Sequence, residues 1–427
     1  MTTAIEVRIW GQRVGAVAAD PRLGAYVFGY DKQWLSKGID LAPRTMPIAT
    51  YKPPGHSFPL LSRDSFHGLP GLLSDALPDS FGNALIDAWM ATHGVDRANI
   101  TTLDRLAYMG KRGLGALEFK PSKGASRESQ GALQMQALVE TARAVVQGNL
   151  ADDRMAKAAL TQIIRVGTSA GGARAKAVIA WNPETHEIRS GQFAVAPGFE
   201  HWLLKFDGVG LDFELGTGAH YGRVEYAYHL MARAAGIDMS PCRLLLENGR
   251  AHFMTRRFDR EENKKHHVQT LCAMAHLDYK QRGTHAYAQA FMTLASLKLP
   301  NEASDQLFLR MAFNVMARNC DDHTKNFAFR MREGAQWELS PVYDVTHAYN
   351  PRGEWTYQHL MSVNDKFDGI TRADLLTEAS RFNVRAPERL INEVAAALDS
   401  WPQFAAEAGL GEKYRDLIAA DFRLLKT

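Results

Sequence analysis

The residues best suited to chemistry stand in Asn319-Cys-Asp-Asp-His-Thr-Lys-Asn326 and, a little further on, in Leu339-Ser-Pro-Val-Tyr-Asp-Val345. Asp321 and Asn326 have the D-x-x-x-x-N spacing in which a kinase catalytic loop places a carboxylate to accept a hydroxyl proton and an amide oxygen to hold magnesium. Asp344 takes the place of the metal-binding aspartate that follows. These hard oxygen ligands suit magnesium, which completes its octahedron with waters and substrate phosphates. Asp321 and Asp322 have a second reading as turn or cap residues, a common use of aspartate. Three matches in order weigh against it.

Two further segments carry charge into apolar surroundings. Gly167-Thr-Ser-Ala-Gly171 matches the G-x-S-x-G elbow of serine hydrolases, with Ser169 as nucleophile, but an elbow needs a strand before the serine and a helix after it. The residues that follow, small or charged and then β-branched, fit strand, Gly-rich turn, strand. Gly171, Gly172, Ala173, Arg174, Ala175 and Lys176 then form a loop whose backbone N–H groups and two cations can meet phosphate oxygens, or simply a hairpin. Lys205 lies in the apolar run His201-Trp-Leu-Leu-Lys-Phe206 and wants a charge partner, for which Glu225 is a candidate. Glu225 reads equally well as a surface residue near a helix start. Cys320, Asp321 and His323 lack the second close pair that zinc needs. Arg256-Arg-Phe-Asp-Arg260 with Lys264 and Lys265 is a basic cluster that can touch phosphate or be a solvated face.

Elements must position these residues. Ile5, Val7 and Ile9 alternate with polar neighbours up to a Gly11-Gln12 turn, as in a hairpin, and residues 25–30 read as another strand. Leu85, Ile86 and Trp89 give residues 81–90 helical spacing, residues 116–119 form a strand, and the polar stretch 121–130 is the best linker. A helix over 132–147 precedes strand texture from 162 to 206, and beyond Gly222 the chain is mostly helical, with Val224, Ala227, Tyr228, Met231 and Ala235 on one face. The expected divisions are 1–120, 131–207 and 208–427. A chain of 427 residues, 46% hydrophobic and 23% charged, is neither disordered nor fibrous, and its length suits a two-lobed enzyme. A net charge of +3 does not by itself point to nucleic acid. Three scattered cysteines make no disulfide framework and fit a reducing compartment. Glu6, Arg8 and Arg13 interrupt any secretory signal, and no apolar run is long enough to span a bilayer, so a soluble cytoplasmic protein is expected.

Taken in order, Leu72-Leu-Ser-Asp-Ala-Leu-Pro78, Ser169-Ala-Gly-Gly-Ala-Arg-Ala-Lys176, residues 201–205, Arg257-Phe-Asp-Arg260, Asp321-Asp-His-Thr-Lys-Asn326 and Pro341-Val-Tyr-Asp344 resemble the HipA family, bacterial serine/threonine kinases that act as toxins of type II toxin–antitoxin pairs. The resemblance covers most of the chain. It implies an α+β, two-lobed, protein-kinase-like fold: a β-sheet N-lobe with an added N-terminal subdomain, and a mostly helical C-lobe. It further implies ATP and Mg2+ as cofactors, with the loop from Ser169 to Lys176 near the phosphates, Lys205 contacting them and Asp321 as catalytic base. Asn326 and Asp344 would hold magnesium, His323 and Tyr343 would sit by the nucleotide, and Arg256, Arg257 and Phe258 would match the hinge that receives adenine. Ser169 falls where family members phosphorylate themselves. The partners implied are a small helix-turn-helix (HipB-like) antitoxin, operator DNA through that antitoxin, and an aminoacyl-tRNA synthetase as substrate. The chain departs from ordinary protein kinases in lacking G-x-G-x-x-G and in having Asn319-Cys320 where an arginine precedes the catalytic aspartate. Two readings from other classes remain, a serine hydrolase using Ser169 and a catalytically silent corepressor scaffold.

Overall fold

A computed structural model describes residues 2–123, 133–146, 163, 174–209 and 220–425. Its first sheet is built from β1 (Ala4–Ile9), β2 (Gln12–Asp20), β3 (Ala25–Tyr30) and β4 (Leu117–Lys120), in the antiparallel order β3-β2-β1-β4. The alternation seen in the sequence sorts β1 into two faces, with Ile5, Val7 and Ile9 fully buried. Trp10 and Gly11 both have positive φ, 47° and 76°, which is the twist a two-residue hairpin between paired strands requires. Helices Ser80–Thr92 and Thr102–Met109 accompany this sheet. Asp79 caps the first by accepting from Gly82 N at 2.7 Å, and a Thr101–Asp104 capping box starts the second.

The second sheet joins β5 (Lys176–Trp181), β6 (Ile188–Ser190), β7 (Glu200–Lys205), β8 (Cys242–Glu247) and β9 (Arg250–Arg256) in the antiparallel order β6-β5-β7-β9-β8. β5 is buried along its whole length, as a strand covered on both faces must be. Strands β8 and β9 come from beyond position 208, so this sheet crosses the division expected at 207–208. The signal lay in Asn248-Gly249, at φ 43° and 79°, the dipeptide that turns tight hairpins. Helix Tyr221–Ala234 lies against β9, and a Cβ on Gly222 would stand 1.9 Å from Ala251 O. Only glycine permits that approach.

The remainder is mostly helical, with Asn301–Met316 as its buried axis; Leu307, Phe308, Met311 and Val315, which share a face in the sequence, are all in the core. A small sheet of His267–Thr270, Ala328–Met331 and Trp337–Leu339 flanks residues 319–326. Among the described residues no helix is long and apolar enough to cross a membrane.

Candidate active site

Lys205 ends β7 and Lys176 begins β5, and the register of the two strands pairs them directly. Two buried cations side by side each need an acid. Lys205 Nζ donates to Glu225 Oε1 at 2.6 Å and to Asp344 Oδ1, while Lys176 Nζ lies 3.3 Å from Asp79 Oδ2. Glu225 was the partner the sequence offered for Lys205; helix Tyr221–Ala234 carries it there with its side chain 1% exposed. Burial alone would lower the Lys205 pKa, but Asp344 and Glu225 outweigh it and hold the ammonium above its ordinary value. Burial likewise works against the Asp344 carboxylate, yet Lys205 and Lys176 keep it well below the usual range and ionised. Glu225 is shifted upward, mainly by burial. Arg174 adds a weaker cation, 3.9 Å from Glu225 Oε2 and 4.0 Å above the Tyr221 ring.

Residues 319–326 run extended into a short 3-10 turn, Thr324–Asn326. Asn326 Nδ2 donates to Asp321 O at 2.8 Å, so the amide and the aspartate of the D-x-x-x-x-N spacing are locked together. The Asp321 side chain is 45% exposed, with His323 Nε2 3.8 Å from its Oδ1. Tyr343 donates to Lys325 O at 2.6 Å and stacks on Phe258 at 5.7 Å between ring centroids, tying the segment that carries Asp344 to the loop that carries Asn326. Asp344 itself sits at φ 56°, a left-handed conformation that aspartate tolerates better than most residues.

Lys176, Lys205, Lys325, Asn326, Tyr343 and Asp344 line one cavity. Its apolar wall is Leu77, Leu114, Leu203, Met239 and Phe253. The donor set suits magnesium, since a carboxylate and an amide oxygen are hard ligands, and three lysines beside an apolar slot suit a nucleotide's phosphates and base. Asp75, Leu77 and Leu114 come from the N-terminal part of the chain. Sequence reasoning assigned them no role, and neither did it foresee the contact of Asp79 with Lys176; the aspartate at a helix start was readable as a cap but not as a long-range partner. Asp75 accepts from Thr270 N at 2.6 Å, and its carboxylate holds Lys325, which lies 4.5 Å above the Tyr279 ring, above its ordinary pKa despite burial.

The two arginines expected at the hinge have their side chains on another face. Arg256 and Arg257 line a different cavity, together with His201 and Arg260. The cause is strand alternation: Phe253 and Thr255 of β9 face the lysine-lined cavity, so Arg256 faces away from it. Their backbone donors are also engaged, Arg256 N with Pro241 O at 2.8 Å and Arg257 N with His201 O at 3.0 Å. Arg257 grips Asp259 with two bonds of 2.8 and 2.7 Å, and Asp259 also accepts from Arg260 at 2.6 Å and from Gly115 N at 2.7 Å. Arg257-Phe-Asp-Arg260 is thus a clamp between the two sheets' domains, except for Phe258, which reaches Tyr343. Ala175 is buried beside Lys176, whereas Ser169, Gly171, Gly172 and Ala173 lie outside the described residues.

Residues 168–401 match the family description HipA-like C-terminal domain, and residues 5–120 match HipA N-terminal domain. The fold is similar to HipA of Shewanella oneidensis MR-1, solved as a complex of toxin–antitoxin system HipA, HipB and operator DNA, with a TM-score of 0.66 and 17% identity over 97% of this chain and 96% of that one. The proinflammatory kinase CtkA of Helicobacter pylori aligns over 52% of this chain and 84% of its own, with a TM-score of 0.34 and 12% identity, too slight a likeness to build on. Among curated protein sequences nothing matches the chain.

Proposed function

The chain belongs to the HipA family, and from that premise we propose that it is an ATP- and magnesium-dependent serine/threonine protein kinase, the toxin of a toxin–antitoxin pair. The observation that carries this reading is Lys205 held between Glu225 and Asp344 in one cavity with Asn326. A strand lysine paired with a helix glutamate is the arrangement an active kinase needs to hold nucleotide phosphates. Asn326 and Asp344 would hold magnesium, which when bound neutralises charge on the phosphate oxygens. In the reaction a serine oxygen forms a bond to the γ-phosphorus, the bond from that phosphorus to the ADP oxygen breaks, and the serine proton passes to Asp321. Lys205, Lys176 and Lys325 offset the charge on the phosphates, so that catalysis is positioning and electrostatic stabilisation.

The finer reading follows the family resemblance. The substrate is a serine of a translation protein, an aminoacyl-tRNA synthetase by that resemblance, and the chain's own Ser169. The partner is a helix-turn-helix antitoxin, which brings the complex to operator DNA; the Shewanella HipA complex with HipB and operator DNA supports that expectation. Residues 1–120 act as the added subdomain, with the kinase lobes following. Incubation with γ-labelled ATP and magnesium, beside an Asp321→Asn control, tests the proposal. Label transferred by the wild type and absent from the control supports it. A wild type that neither transfers label nor is thermally stabilised by ATP sinks it.

A further inference from the structure

Asp321 and Asp322 are adjacent and identical in type, yet they face opposite ways. The segment is extended, so successive side chains alternate: Asp321 and His323 are partly exposed, while Asp322 and Thr324 are buried. What sets the phase of that alternation is the surroundings of Asp322, whose side chain is fully buried. Its Oδ2 accepts from Tyr287 Oη at 2.8 Å and from His359 Nδ1 at 2.9 Å, and its Oδ1 accepts from Leu360 N at 2.7 Å. These donors arrive together because His285–Ala286 and Met361–Ser362 pair as parallel strands, with Tyr287 just after one and His359 and Leu360 just before the other. Asn314 Nδ2 in turn donates to Tyr287 Oη at 3.0 Å, and Asn314 Oδ1 accepts from Asn319 Nδ2 at 2.9 Å, so the cluster closes back on the start of the loop. The other titratable group facing His359 is Cys320, its Sγ 3.8 Å from Nε2.

We propose that His359 is the positioning residue of this site: with Tyr287 and Leu360 it pins the Asp322 carboxylate inward, and that anchor, one residue along the chain, holds Asp321 turned outward to meet the substrate hydroxyl. Of the three donors, His359 is the one that brings a positive charge to a buried carboxylate. Burial opposes that charge, but Asp322 sustains it and raises the imidazole to about 10. Asn326 holds Asp321 by its backbone oxygen, so the anchor at Asp322 is what fixes which of the two aspartate side chains turns outward, since a slip by one residue exchanges the faces of an extended segment. The inference rests on the kinase reading above.

The test measures single-turnover transfer from γ-labelled ATP and, separately, the Kd for ATP, in the whole chain and in three variants. His359→Asn keeps an N–H near the place of Nδ1, His359→Gln moves it to the place of Nε2, and His359→Ala removes it. The Ala variant is expected to lose transfer by about 100-fold, the penalty of a displaced catalytic group, with the ATP Kd unchanged. The Asn variant should recover most of the rate, and the Gln variant should not. Transfer at the wild-type rate in the Ala variant overturns the inference, as does a Kd that weakens in step with the rate in the Asn and Gln variants alike. If the Ala variant does not fold, the contrast between Asn and Gln decides. A wild type that transfers no label defeats the kinase reading itself, and is told apart because it does not depend on residue 359.

Discussion

Lys176 and Lys205 are cross-strand partners in β5 and β7, but their ammonium groups are neutralised from different parts of the chain. Lys205 finds its acids on helix Tyr221–Ala234 and at Asp344, whereas Lys176 finds Asp79, the cap of a helix in the N-terminal part. Like charges directly opposite in a sheet destabilise it, so each ion pair also shields its neighbour. The N-terminal part is thereby an electrostatic component of the candidate nucleotide site.

A neutral residue at position 79 tests that role. Asn caps helices as well as Asp does, so Asp79→Asn removes the charge while keeping the cap. Both side chains of the Asp79–Lys176 pair are only 3% exposed. Breaking a buried pair from one side costs about 3 kcal/mol, so urea unfolding of Asp79→Asn should fall by that order. Bound ATP would give Lys176 a new counter-charge, and the thermal shift on adding ATP should be larger in the variant than in the wild type. Equal shifts in both would mean that Lys176 does not meet the phosphates.

Asp344 is expected to govern the metal dependence of ATP binding. Its carboxylate is ionised in place by Lys205 and Lys176, and with the Asn326 amide it supplies the hard oxygens at the cavity wall. In the wild type, removing magnesium with a chelator should weaken ATP binding. In Asp344→Ala, binding should already be weak, and the chelator should change it little. Titration calorimetry with and without magnesium reads both. An Asp344→Ala variant that still responds fully to magnesium would assign the metal to other residues.

Much of this site was legible because its parts are local. Asp321 and Asn326 lie within one short loop, so their spacing alone carries the geometry that the Asn326 Nδ2 bond to Asp321 O realises. The pairing of Lys205 with Glu225 was open in the sequence, since a buried lysine needs an acid but strand and helix patterns do not say which. Asp75 and Leu114 were not legible as site residues, nor Asp79 as the partner of Lys176, because only the packing of the N-terminal part against β5 and residues 270–325 brings the first two to the cavity and the third to Lys176. The placement of the Arg256 side chain was not legible for a different reason. The phase of β9 depends on which of its faces meets the cavity, and a strand with Phe253, Met254 and Thr255 in succession has no polar alternation to reveal it.

The pH dependence of stability should carry the mark of His359. Its folded value, about 10, stands above the ordinary 6.5. A group raised on folding stabilises fully below its unfolded value and loses that contribution as pH rises through the folded one. The stability contributed by the Asp322–His359 pair should therefore be complete below pH 6.5 and decline up to about pH 10. His359→Asn, which cannot titrate, should lack this slope, so the gap between wild type and variant in urea midpoints should narrow from neutral to alkaline pH. A constant gap would mean that His359 is neutral in the folded protein.

Arg257 and Asp259 separate the clamp from the hinge. Arg257 and Arg260 hold the Asp259 carboxylate well below its ordinary pKa against the effect of burial, and Gly115 N donates to it from the N-terminal part. Asp259→Asn leaves two buried guanidinium groups without their shared counter-charge, a loss of about 3–5 kcal/mol by the usual measure of a buried pair broken from one side. Arg257→Met removes one cation and leaves Asp259 paired with Arg260, so its loss should be smaller. Because Arg257 lies on the other cavity with its N–H given to His201 O, neither variant should change the ATP Kd once ATP is added to folded protein. Urea unfolding paired with calorimetric titration checks both halves. A stable Arg257→Met protein with weakened ATP binding would return this residue to the adenine site, and an unstable one that binds ATP as the wild type does would fix it as part of the joint between the domains.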